Sequence, residues 1–167
     1  SKTENKIGNF KIEILKAYTP IFFDNYRKLL CIFSAFQLIK ILTAESQKNL
    51  KIYNLIKNFY SFLENENWIK DYIFWELEFF KVIGYDLELK NLVKKELINN
   101  EVKYFVKSTK ENKIVPNFLI DNNQEFLNEE ILIDGLRLVG DYLEKSILEP
   151  NNISYPSNRL RFLNTFK

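Results

Sequence analysis

Residues 68–83 constrain the fold more than any other stretch of this chain. They hold Trp68, Tyr72, Trp75, Leu77, Phe79, Phe80, Val82 and Ile83 between Asn67, suited to capping a helix, and Gly84, suited to the left-handed turn that ends one. The spacing predicts a helix with apolar residues on most of its circumference. Such a helix is buried by several neighbours at once, so the chain is predicted to be mainly α, with this helix at the centre.

The remaining sequence supplies those neighbours. Residues 24–45 place Tyr26, Leu29, Leu30, Phe33, Phe36, Leu38, Ile41 and Leu42 at helical spacing, with Asp24 as the N-cap. Residues 50–63 follow Asn49, another capping residue, with an inner stripe of Tyr53, Ile56, Phe59, Tyr60 and Leu63. Residues 128–148 direct Ile131, Leu132, Leu136, Val139, Leu143 and Ile147 inward, and Pro150 closes that helix. A short last helix is expected over residues 155–166, with Ser154 near its cap and Pro156 in its first turn.

Two segments read as β. Residues 7–15 alternate apolar and polar, the period of a strand, and a lone strand needs neighbours to satisfy its backbone. After Gly84 comes a polar, less periodic stretch, in which 104–106 is expected to pair with 114–115 around a turn at Asn112, and Pro116 ends the second strand.

Several chemistries are disfavoured by what the chain lacks. With one cysteine, Cys31, and no histidine, neither an internal disulfide, a usual zinc site nor a Cys-His or Ser-His nucleophile is expected. A thiol inside the apolar run Leu30, Cys31, Ile32, Phe33 suits a reducing, cytoplasmic compartment. The uncharged run over 29–39 is well short of a membrane span, so no membrane partner is expected. The chain contains no methionine, and Ser1 is not expected to be the natural start.

The carboxylates Asp71, Glu76, Glu78, Asp86 and Glu88 could in principle bind magnesium or do acid and base work. Their spacing forms no compact cluster, however, since Glu76 and Glu78 point to different helix faces, and a solvated face is the preferred reading. The four glycines are too scattered for a phosphate-cradling loop. No enzyme and no cofactor are expected.

The net charge of +2 does not by itself imply a nucleic-acid binder, but the charge is segmented. Residues 90–113 carry Lys90, Lys94, Lys95, Lys103, Lys107, Lys110 and Lys113 against three glutamates. Residues 151–167 add Arg159, Arg161 and Lys167 with no acid, while 121–134 hold five acids and no base. Such patches can hold phosphates or an acidic peptide. The alternative is that the lysines only keep a loop soluble in a lysine-rich composition. The four arginines, Arg27, Arg137, Arg159 and Arg161, stand out against twenty lysines as planar, bidentate donors, although Arg137 can simply pair with Asp134 or Asp141 on its own helix.

Two segments resemble the bacterial RecO family, in its alphaproteobacterial form. Residues 72–87 (YIFWELEFFKVIGYDL) are similar to a long helix ending in "FEL…LLxxLGYxLdL". Residues 135–144 (GLRLVGDYLE) look like "LRLTGxFLE", and Tyr155, Pro156 and Arg159 resemble an "LPxxR" ending. Between them, Phe105, Val106, Lys107, then Lys110 to Val115, resemble a "YVSPKTGKAVS" hairpin with Asn112 in place of its turn glycine, and Lys6 to Phe10 resemble an "xLGxF" strand. No single motif is specific; the collinear order is.

The resemblance implies a helical domain of the RecO C-terminal type over 21–167 with a small β-hairpin insertion, preceded over 1–20 by a remnant strand of an N-terminal OB-fold. Zinc is not carried over, because Leu89 to Leu92 stand where zinc-binding members place their first cysteines. It implies a recombination mediator in RecFOR-type gap repair that binds single-stranded DNA and the acidic tail of single-strand-binding protein, acts with RecR, helps RecA loading and anneals strands. Candidate DNA or partner contacts are Lys94, Lys95, Lys103, Lys107, Lys110, Lys113, Arg159 and Arg161. Candidates for the tail are Lys70, Lys81, Arg137 and Lys145, on helices expected to be neighbours. DNA binding is expected to be weak without a whole OB-fold. The alternatives are a generic helical interaction module without a DNA role, and a magnesium-dependent nuclease that would need Glu76 in its centre.

Overall fold

The computed structural model describes residues 17–44, 48–107, 112–121 and 127–167, and at 107 and 112 the backbone alone. The expected strand over 7–15, nearly all of the expected OB-fold remnant, Lys110 and the Lys107 side chain lie outside the described residues. What is described is mainly helical, with one three-stranded antiparallel sheet.

After a single 3₁₀ turn, Thr19–Phe22, helix α1 runs over Tyr26–Leu42. Its cap is Asn25, not Asp24: the Asn25 side chain accepts from the Lys28 N–H at 3.1 Å. The inner face also differs from the expectation. Leu30, Cys31, Ser34, Ala35 and Leu38 are buried, while Tyr26, Phe33 and Phe36 are exposed. Cys31, Ser34 and Ala35 form a small-residue stripe at i, i+3, i+4 spacing, which lets other helices approach α1 closely; the aromatics would hold them off.

Helix α2, Leu50–Phe62, starts as expected, with Asn49 accepting from the Ile52 N–H at 3.1 Å. Phe59 and Leu63 are buried, but Tyr53 points outward at 63% exposure, and Ile52, Leu55 and Phe62 complete the inner stripe instead. Helix α3, Trp68–Val82, is the central helix predicted: Trp68, Tyr72, Ile73, Trp75, Glu76, Phe79 and Phe80 are all buried. Asn67 holds the cap position without a side-chain bond. At the other end Gly84 has φ +97°, the Gly84 N–H donates to the Lys81 carbonyl and the Tyr85 N–H to the Phe80 carbonyl, the pair of bonds that defines a Schellman ending.

A single helical turn, α4 (Leu89–Leu92), leads into β1 (Val93–Ile98), β2 (Glu101–Lys107) and β3 (Asn112–Val115), in spatial order β1-β2-β3. Tyr104 faces Val115 and Phe105 faces Ile114, as expected, but Asn112 pairs with Lys107 inside the ladder rather than forming the turn. The strand β1 is an addition to the predicted hairpin. It is joined to β2 by Asn99 and Asn100, both with positive φ (52° and 64°), the geometry of a two-residue type I′ turn and one that asparagine tolerates.

Pro116 ends β3, and a 3₁₀ turn, Asn117–Leu119, buries Phe118 and Leu119. Helix α5 spans Glu129–Tyr142 and is capped by Asn128, which accepts from the Ile131 N–H at 2.8 Å. Removing that cap as Asn128→Ala is expected to cost about 1 kcal/mol in urea unfolding, with Asn128→Asp close to neutral. Beyond Tyr142 the helix widens into a π-helical segment, Leu143–Leu148, which turns Leu143, Ile147 and Leu148 all into the core. Helix α6, Ser157–Leu163, begins one residue after Pro156, which occupies the cap position rather than the first turn.

Helices α2 and α5 pack on α3, while α6 packs along α1 and reaches α3 through Phe162, which meets Trp68 and Tyr72. On α5 stands Gly135, where an added Cβ would lie 2.6 Å from the Phe118 ring and 3.3 Å from Ile73 of α3, so the absence of a side chain lets Phe118 pack directly on α5 beside α3. No helix among the described residues is long and apolar enough to cross a membrane.

Candidate functional site

A groove of about 1010 Å³ lies between β3 and α5. One wall is the β3 edge with Pro116; the other is the outward stripe of α5, where Ile131, Asp134, Arg137, Leu138 and Asp141 recur at three- and four-residue spacing. Val102 and Lys103 of β2 close one end. Its lining alternates apolar and charged groups, with Val115 buried at the base and Ile114 61% exposed at the lip.

Each cation in this groove has a carboxylate within reach. Lys113 Nζ meets Asp141 Oδ2 at 2.5 Å, an ion pair that spans the groove from strand to helix. Arg137 lies 3.3 Å from Asp134 and Lys103 3.9 Å from Glu101. All three pairs are substantially exposed, so each contributes little to stability, and its carboxylate can be exchanged for that of a ligand.

The groove draws on both candidate sets. Lys103 and Lys113 come from the DNA or partner group and Arg137 from the tail group. Of the other tail candidates, Lys81 pairs with Asp86 at 3.4 Å and borders a different groove, between α2 and α3. Lys70, on α3, and Lys145, in the π-helical segment, do not line the β3–α5 groove. Lys94 and Lys95 are exposed on β1, and Arg161 is exposed on α6.

Arg159 differs from the expectation altogether. It is fully buried, as is Glu76, and its guanidinium forms an ion pair with the Glu76 carboxylate inside the helical core. Arg159 therefore cannot contact phosphate, and Glu76 cannot belong to a solvated face or a nuclease centre. The guanidinium also donates to the Tyr155 hydroxyl at 3.1 Å and to the Leu136 carbonyl at 3.4 Å, with Gly140 leaving room beside it.

Burial raises the Glu76 carboxyl above the ordinary carboxylate range, and the Arg159 charge, with the Tyr72 hydroxyl, pulls it back. Burial also works against the guanidinium charge, but Glu76, Tyr72 and Tyr155 outweigh it, so the Arg159 pKa is raised. Beside the pair, burial pushes the Cys31 thiol well up, which makes it unreactive. Among the described residues no three His, Cys, Asp or Glu side chains gather to hold a metal ion.

No family model matches the chain, and no solved structure matches it significantly. Curated relatives do. The DNA repair protein RecO of Rickettsia africae is 30% identical over 142 residues, 78% of this chain and 60% of the relative. That of Rickettsia canadensis is 29% identical over the same length, and that of Rickettsia felis 32% over 89 residues. The chain belongs to the RecO family. It spans about 60% of the length of the first two of these relatives.

The RecO-like segments of the sequence acquire a physical meaning in this structure. The glutamate of the "FEL"-like helix is Glu76, the glycine of the "LRLTG"-like helix is Gly140, and the arginine of the "LPxxR"-like ending is Arg159; all three meet at one buried point. What sequence reasoning missed was this partnership. Its available signal was the position of Glu76 four residues after Tyr72 and three and four before Phe79 and Phe80, on the apolar side of α3, where an unpaired carboxylate is costly.

Proposed function

We propose that this RecO-family chain acts in DNA repair as a recombination mediator without catalysis of its own, and that the β3–α5 groove receives the acidic, apolar tail of single-strand-binding protein. The observation that carries the tail reading is the groove itself, where Ile114, Val115 and Leu138 stand beside Lys103, Lys113 and Arg137, whose carboxylate partners Glu101, Asp141 and Asp134 are held in exposed, exchangeable pairs. Weak contact with single-stranded DNA falls to the exposed Lys94, Lys95 and Arg161, which add charge without a base-reading surface. Action with RecR, RecA loading, strand annealing and a cytoplasmic setting are carried over from the family resemblance as parts of the same proposal.

The test is fluorescence anisotropy of a labelled peptide copying that acidic tail, titrated with the chain at low and moderate salt. Saturable binding is expected, weakened about five-fold or more by Arg137→Glu and unchanged by Lys145→Glu, which lies outside the groove. Equal loss with both variants would move the site elsewhere. No binding, from a chain shown to be folded, would favour a helical interaction module of another kind.

A further inference from the structure

The turn at Asn99 and Asn100 determines which backbone groups of the sheet stand unused. A two-residue type I′ turn closes on a pair that exchanges both backbone hydrogen bonds, here Ile98 and Glu101. Bonded pairs alternate along an antiparallel ladder, so Glu96–Lys103 and Lys94–Phe105 are the next two. Val102, Tyr104 and Val106 therefore direct their N–H and C=O groups to the other side, towards β3. The Asn117 side-chain amide agrees with this, donating to the Val102 carbonyl at 2.7 Å.

Across β2 and β3 the bonded pairs are then Tyr104–Val115 and Val106–Lys113. Ile114, between them, turns both its N–H and its C=O outward, along an edge that pairs with no further strand among the described residues and forms one wall of the groove. Pro116, the next outward position, has no N–H to offer, so pairing along this edge centres on Ile114. An open strand edge facing a helix across an apolar trough has the geometry needed to bind an extended peptide as an added strand.

Charge sets the chemistry of the occupant. Lys113 reaches across the groove to Asp141, and Arg137 is held by Asp134, both through exposed and exchangeable pairs. A ligand carboxylate opposite Lys113, one residue from the position paired with Ile114, shares the face of Lys113 and meets it directly, with Asp141 as its competitor.

We propose that an extended peptide carrying a carboxylate two residues from an apolar residue, so that both side chains take the face of Lys113, adds to β3 as a fourth strand. It exchanges two backbone hydrogen bonds with Ile114, lays its apolar side chain against Leu138, and takes Lys113 from Asp141. This rests on the groove being a peptide site, and assigns the mode of binding and an internal competitor for it. Asp141 thereby tunes affinity: the groove holds its own stand-in for the ligand's charge.

The test uses the tail peptide above and a series of its variants, each N-methylated at one backbone nitrogen, titrated against the whole chain and against Asp141→Asn. The Asp141→Asn chain is expected to bind the parent peptide about three- to five-fold more tightly, a gain that structural damage does not produce. N-methylation opposite Ile114 is expected to weaken binding more than about ten-fold, while the positions on either side stay within about two-fold. Binding of the parent with no such alternation overturns strand addition and leaves the groove reading standing. Alternation with no gain from Asp141→Asn overturns the competitor. No binding by either folded chain overturns the groove reading and this inference together.

Discussion

Replacing Arg159 by leucine is expected to destabilise the chain by about 3–5 kcal/mol, because Glu76 remains behind as an uncompensated charge in the core. At a few degrees per kcal/mol for a chain of this size, that is a fall in Tm of roughly 10 °C. The second Glu76 oxygen has no hydrogen-bond partner among the described residues, so the carboxylate depends heavily on this one cation. The double substitution Glu76→Leu with Arg159→Leu is expected to recover much of the loss, since a buried ion pair removed as a unit leaves no stranded charge. Thermal and urea unfolding of the two single variants and the double variant measure the coupling. A double variant as unstable as the sum of the singles would show that the side chains act independently, as packing volume only.

The second large effect is expected at Phe118. This ring lies in the turn between β3 and α5, fully buried beneath Gly135 and edge-on to Phe74 at 6.1 Å, so it fastens the sheet to both α3 and α5. Truncation as Phe118→Ala leaves a cavity at that junction, with an expected cost of about 3–5 kcal/mol. The position of β3 relative to α5 defines the groove, so peptide affinity is expected to fall with stability, even under conditions where the variant is fully folded. Phe118→Leu, which keeps most of the volume, is expected to retain both. Unfolding curves paired with the anisotropy titration decide the matter; lost stability with unchanged affinity would separate the groove from this anchor.

Legibility of the sequence followed the range of the interactions. Asn49 and Asn128 announce their helices because a cap acts within three residues, and Gly84 announces the end of α3 because its left-handed backbone is a local demand. The face of α1 was harder, since apolar residues surround most of that helix and spacing alone does not reveal that Cys31, Ser34 and Ala35 are small enough to admit neighbours. Strand β1 was hidden because five of its six residues are exposed and its centre is charged, which leaves no alternation to read. The dipeptide Asn99–Asn100 was the local clue. Glu76 and Arg159 are 83 residues apart, and Lys113 and Asp141 are 28 apart. Pairings of that kind exist only after helices and sheet have packed, which is why Lys113 and Arg137 fell into separate candidate sets though one groove contains both.

The exposed strand β1 has a bearing on how concentrated this chain can become without assembling on itself. A second copy adding antiparallel to that edge would set one residue against its own counterpart on the two-fold axis, because only such registers keep the two sheets continuous face to face. Registers centred on Lys94 or on Glu96 set like charges together, whereas the register centred on Lys95 also sets Lys94 against Glu96 on both sides of the Lys95 pair. Charge thus disfavours two of the three central registers and confines self-recognition along this edge to the one that opposes Lys94 to Glu96, while a different strand is not bound to that register.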